Sequence, residues 1–94
     1  MSTADPDGLT LDGNAIAGML AEVFNGAEMT GASRVCASCG QRHAIGEHRL
    51  YRGAGLVLRC PGCGDVGLLI VEGDGWREVR MWGAWSVRVP APPA

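Results

Sequence analysis

All four cysteines of this 94-residue chain fall into two short phrases, Cys36-Ala37-Ser38-Cys39-Gly40 and Cys60-Pro61-Gly62-Cys63-Gly64. Two residues separate the cysteines within each pair, and twenty separate the pairs. Thiolates at this spacing suit one tetrahedral ion, because a tight turn between paired cysteines aims both sulfurs at the same point. In the second phrase Pro61 presets φ and Gly62 frees the next position. Gly40 and Gly64 tolerate the positive φ that folds the chain back and turns N–H groups toward the sulfurs. Cys36, Cys39, Cys60 and Cys63 are therefore the expected ligands of one structural zinc ion per chain. Disulfides would need an oxidising compartment, and a redox dithiol belongs with a βαβ pattern that the sequence lacks.

Other chemistry is hard to build from these residues. His43 and His48 lie between the cysteine pairs, but four well-spaced cysteines leave them exposed or hydrogen-bonding roles. A catalytic zinc keeps one coordination position open, and four cysteines fill the site. No Ser-His-Asp set, carboxylate pair or phosphate loop is recognisable, so no catalytic residue and no organic cofactor are expected. The protein is not expected to be an enzyme.

The formal net charge is −2, and its distribution is uneven. Residues 1–33 carry Asp5, Asp7, Asp12, Glu22 and Glu28 with no basic residue, whereas all eight arginines follow from Arg34 onward. An acidic total argues against a dedicated binder of phosphate backbones. No stretch is long and apolar enough to span a membrane. The first residues lack a basic segment followed by an apolar one, so the expected location is cytoplasmic.

The elements that must position the cysteines can be read from periodicity. Residues 1–10 contain the turn-forming Asp5-Pro6-Asp7-Gly8 and are expected to be a flexible N-terminus. Residues 11–89 form a single domain, and residues 90–94 a flexible Pro-rich tail. Ile16, Met19, Leu20, Val23 and Phe24 line one face of a predicted helix from Leu11 to about Asn25, with Asp12 as N-cap and Gly26 as the stop. Its apolar stripe must be covered, by the protein's own sheet or by a neighbour. Short strands are predicted over Glu47–Arg52, Leu56–Cys60, Val66–Glu72, Trp76–Trp82 and Trp85–Val89. Turns fall at Gly53-Ala54-Gly55 and Gly73-Asp74-Gly75. The predicted fold is small α+β, an N-terminal amphipathic helix followed by an antiparallel β-meander of zinc-ribbon type. Trp76, Trp82 and Trp85 are expected to pack on the helix, or else to anchor an interface.

Two metal-binding turns joined by hairpins resemble the zinc ribbon over Val35 to about Val71. The Cys-Pro-x-Cys-Gly turn is also similar to that of rubredoxins, and an all-sulfur tetrahedron accepts iron as well as zinc. A narrower likeness rests on the run Leu11 to Gly18, on Glu22-Val23-Phe24, on Met29-Thr30, on the first cysteine pair and on Arg59 to Gly64. Over most of residues 10–82 these resemble a family of small uncharacterised proteins from high-GC bacteria, with zinc-ribbon cysteines and no assigned activity. That resemblance implies the same four ligands and supplies no substrate.

Three functions fit these observations. A structural zinc, a helix with small residues (Ala15, Ala17, Gly18, Ala21) and three tryptophans suit a protein-interaction module with an unidentified protein partner. Nucleic-acid binding is an alternative, with Arg42, Arg49, Arg52 and Arg59 near the cysteines and Tyr51 able to stack on a base. A rubredoxin-like iron electron carrier is the third.

Overall fold

The computed structural model describes residues 11–89 and Ala91. The expected flexible segment 1–10 lies outside the described residues, as does nearly all of the tail.

Leu11 and Asp12 do not begin a helix. They form a two-residue strand, β1 (Leu11–Asp12), paired with Leu50 and Arg49. A 3-10 turn follows over Gly13–Ile16, where the Asp12 carboxylate accepts from the Asn14 N–H at 3.0 Å. Only α1 (Ala17–Val23) is α-helical. Gly13 explains the break, since its Cα lies so close to the Ile45 carbonyl that a Cβ does not fit. Asn25 takes a left-handed φ of 58°, and the Gly26 N–H closes the helix on the Ala21 carbonyl at 2.6 Å. Asn25 thus fills the stop position expected of Gly26, which becomes the next residue along.

The remaining strands are β2 (Ser33–Val35), β3 (Arg42–Ala44), β4 (Arg49–Arg52), β5 (Leu56–Arg59), β6 (Val66–Gly73), β7 (Trp76–Met81) and β8 (Ala84–Ser86). They form two antiparallel sheets, ordered β1-β4-β5-β6-β7 and β3-β2-β8. The chain leaves the first sheet at Gly83, whose φ of 88° only glycine adopts freely. It then lays β8 against β2, with Arg34 opposite Trp85. The described residues are thus mostly antiparallel β-sheet with one short helix. The expected small α+β fold, an N-terminal amphipathic helix followed by a single β-meander of zinc-ribbon type, is not what forms. Strand pairing at Leu11, the glycine at position 13 and the return of β8 to β2 together overturn it.

The core joins Ile16, Leu20, Met29, Ala32, Ile45, Leu50, Leu58, Leu68 and Ile70. Met19, Val23 and Phe24 pack against it half-buried, so the apolar stripe of α1 is covered by the protein's own sheet. Trp85 also packs there, whereas Trp76 and Trp82 are 56% and 41% exposed. Core packing, the favoured expectation for the tryptophans, therefore holds for Trp85 alone.

The two glycines of the N-terminal segment should respond oppositely to alanine. Gly13→Ala forces apart the contact with the Ile45 backbone and should cost about 2–3 kcal/mol. Gly18→Ala meets nothing, lies within α1, and should stabilise by about 0.5–1 kcal/mol. Urea unfolding of both variants checks the pair.

Candidate metal centre

Each cysteine pair sits on the turn of an antiparallel hairpin. The first turn joins β2 to β3 and the second joins β5 to β6, so the two belong to different sheets. The turns are copies of one another. Gly40 donates to the Cys36 carbonyl at 3.0 Å, and Gly64 to the Cys60 carbonyl at 2.8 Å. Cys36 donates to the Gln41 carbonyl at 2.9 Å, and Cys60 to the Asp65 carbonyl at 2.8 Å. The Ser38 N–H points at the Cys36 sulfur at 3.4 Å, and the Gly62 N–H at the Cys60 sulfur at 3.3 Å. Gly40 and Gly64 both have positive φ, 77° and 83°. The glycines after each second cysteine therefore take the positive φ expected of them, while the N–H groups that reach the Cys36 and Cys60 sulfurs come from Ser38 and Gly62.

The structure brings Cys36, Cys39, Cys60 and Cys63 together, with ligand atoms all within 4.8 Å of one another. All four are free thiols. Sulfurs on one tetrahedral ion at about 2.3 Å stand about 3.8 Å apart. The Cys36 and Cys63 sulfurs are separated by 3.5 Å, and those of Cys39 and Cys60 by 3.8 Å. The donor set therefore fits a thiophilic ion. Cys36 and Cys60 are buried, while Cys39 and Cys63 face solvent.

Ionisation across the cluster is uneven. Backbone N–H groups of Cys39 and Ser38 hold the Cys36 thiol down at about 6. For Cys60, burial opposes ionisation but the N–H groups of Cys63 and Gly62 outweigh it, and its thiol is lowered. The Asp65 N–H lowers the Cys63 thiol, but desolvation within the cluster and the neighbouring Cys36, Cys39 and Cys60 sulfurs together push it up to about 12. A lowered Cys36 thiol beside a raised Cys63 thiol is a charge pattern that a bound cation relieves.

Two contacts tie the turns together, and neither is evident from the cysteine spacing. The Ser38 hydroxyl donates to Asp65, across from one turn to the other. The Gln41 side-chain oxygen lies over Gly62, where a Cβ would displace it, and also contacts Nε2 of His43 at 3.0 Å.

Sequence reasoning also missed Arg34, the largest fully buried side chain. Its Nε donates to the Trp82 carbonyl at 2.7 Å, and Nη2 to the Val66 carbonyl at 3.4 Å. Nη1 lies 3.2 Å from Nε2 of His48. Gly67 and Gly83 have no Cβ to occupy the space that the guanidinium fills. A buried arginine carries no periodic signal, and Gly67 beside it falls inside a predicted strand.

His48 is itself buried, with Nδ1 2.9 Å from the Ala44 carbonyl. An arginine has no acceptor, so Nε2 accepts from Arg34 and Nδ1 carries the proton. His48 is thus a hydrogen-bonding residue, as expected, and lies outside the four-sulfur cluster. Its pKa is lowered, first by burial, against the Ala44 carbonyl and Glu47, with the charges of Arg34 and His43 lowering it further. The unfolded imidazole binds a proton near pH 6.5, the folded one only at lower pH. Stability from this group is full above that value and falls as pH drops through it. Urea midpoints measured between pH 8 and 5.5 should decline more steeply for the wild type than for His48→Gln.

A small, mostly antiparallel β protein whose two cysteine turns converge from two sheets on one metal-compatible cluster is the class that this fold and site define. The chain belongs to the family of unknown function DUF6510, whose model matches residues 5–92. Neither a curated protein nor a solved structure matches it.

Proposed function

We propose that Cys36, Cys39, Cys60 and Cys63 hold one zinc ion in a structural site, and that the protein serves as a protein-interaction module. One observation carries the metal reading: two matching turns from two sheets direct their sulfurs to one point. Four protein thiolates complete a tetrahedron, so the ion gains no open position and the proposal includes no catalysis. Free thiols at this spacing suit a reducing compartment, and a cytoplasmic location is part of the proposal. Support for a protein partner comes from Trp76, Met81 and Trp82, which stand exposed at one edge of the larger sheet.

Nucleic acid has weaker support. Arg59 lies over the Tyr51 ring at 5.3 Å and already occupies a face on which a base would stack. Among the described residues, no helix is long and apolar enough to cross a membrane.

Native mass spectrometry of protein purified from its own host, with elemental analysis of the same sample, tests the reading. One zinc per chain is the expected result. Iron at full occupancy would replace the structural reading with electron transfer, and a metal-free folded chain would end both.

A further inference from the structure

β7 is an edge strand with unusual content. It pairs with β6 on one side, and among the described residues nothing pairs with its other side. Natural edges are blunted by proline, bulges, charged side chains or covering loops, and of these β7 carries only charges, Arg77, Glu78 and Arg80. β7 has no proline, and its pairing with β6 is regular from Trp76 to Met81.

The direction of its backbone groups can be worked out. The Trp82 N–H donates inward to the Gly67 carbonyl at 3.0 Å. Backbone groups alternate along a strand, so Trp76, Glu78 and Arg80 also face β6. Arg77, Val79 and Met81 then direct their N–H and C=O groups outward, toward an open position.

The side chains repeat in a self-complementary order. Trp76, Glu78, Arg80 and Trp82 share one face of the strand, because side chains alternate. Read backwards, the same face is Trp, Arg, Glu, Trp. In the isolated chain the two charges already meet, with Arg80 Nε 2.6 Å from Glu78 Oε2.

We propose that the outer edge of β7 pairs antiparallel with β7 of a second copy of this chain, about a two-fold axis at Val79. This names one partner for the interaction reading above and rests on that reading. Val79 then faces the partner's Val79, and Arg77 faces the partner's Met81. Both are outward-pointing positions, so about six inter-chain backbone hydrogen bonds form. Glu78 stands opposite the partner's Arg80, and Trp76 opposite the partner's Trp82. These are the close, non-hydrogen-bonded positions, where side chains touch best. A slip to the next allowed register sets Glu78 against Glu78, or Arg80 against Arg80, and like charges oppose both. Charge therefore selects one register, and the two five-stranded sheets become one ten-stranded sheet.

Sedimentation equilibrium of the full metal-loaded chain from about 1 µM to about 1 mM tests this by mass action. The wild type is expected to shift from monomer to dimer with concentration. Glu78→Arg and Arg80→Glu each place like charges opposite one another twice by symmetry, and each should weaken the dimer at least about tenfold. The double variant Glu78→Arg/Arg80→Glu restores opposite charges and should return to within about threefold of wild type. Met81→Pro removes an outward N–H while leaving the inward ladder intact, and should abolish the dimer. A monomer throughout the range would overturn the proposal, as would a double variant as weak as the single ones. Because the charge variants alter exposed side chains, the cycle decides even if Met81→Pro fails to fold. Metal content, measured on the same samples, reports separately on the structural site.

Discussion

Exchanging Cys60 for serine should leave the protein unfolded at 25 °C. The side chain is buried, so the change removes one of four sulfurs and also places a hydroxyl where a thiolate was held. Structural zinc contributes on the order of 10 kcal/mol of apparent binding free energy. A whole domain is stable by only about 5–15 kcal/mol. Loss of the proposed ion would therefore cancel most of what holds a chain of this size together. Circular dichroism should show the strand signal collapse, and elemental analysis should show the proposed zinc falling from one per chain to a trace. Wild-type protein treated with a strong chelator should give the same spectrum. A Cys60→Ser variant that melts at the wild-type temperature would show that the cluster is no staple.

Arg34→Met should be the most damaging substitution outside the cysteines. Methionine retains much of the volume but donates nothing. The Trp82 and Val66 carbonyls then lose a charged donor, and His48 Nε2 loses its partner. Breaking a buried charged network from one side costs about 3–5 kcal/mol. The Trp82 carbonyl keeps one donor, the Trp85 indole N–H at 2.9 Å, so the loss falls hardest on Val66 and His48. Arg34→Lys should rescue little, because an ammonium lacks the planar fork that reaches three acceptors at once. Urea unfolding at pH 8, where His48 is neutral, measures the change without the acid effect. A loss below about 1 kcal/mol would mean that water replaces the guanidinium.

The cluster was the most legible part of the chain. Cysteine spacing has few physical readings, and Gly40 and Gly64 adopt the positive φ that their position demands. Strand segments were legible too, since Val66–Gly73 and Trp76–Met81 lie within two residues of their predicted limits. The helix was not. Apolar residues at Ile16 and Leu20 have helical spacing and are buried, yet only Ala17–Val23 is α-helical. Periodicity reports which side chains face inward, and a 3-10 turn leading into a short helix buries the same ones. What decided the outcome was the contact of Gly13 with the Ile45 backbone, which no local pattern encodes. The partition into two sheets was hidden for the same reason. It depends on Gly83 turning the chain, and on Arg34 filling the space left by Gly67 and Gly83.

The placement of the cysteine turns on separate sheets bears on the order in which the protein folds. Arg34 and Trp82 are 48 positions apart, and closing so long a loop is slow. Cys36 and Cys63 are 27 positions apart and fall inside that loop. An ion bridging them shortens the chain still to be searched by roughly half, which lowers the closure cost by about 0.6 kcal/mol. The hairpins that carry the turns are local and form early. β8 pairs with β2, so its docking follows the hairpin that carries β2. With the proposed ion bound, the last step becomes a short search. Refolding started by returning metal to the chelated, unfolded chain should therefore restore the strand circular dichroism before indole fluorescence reports Trp85 leaving water.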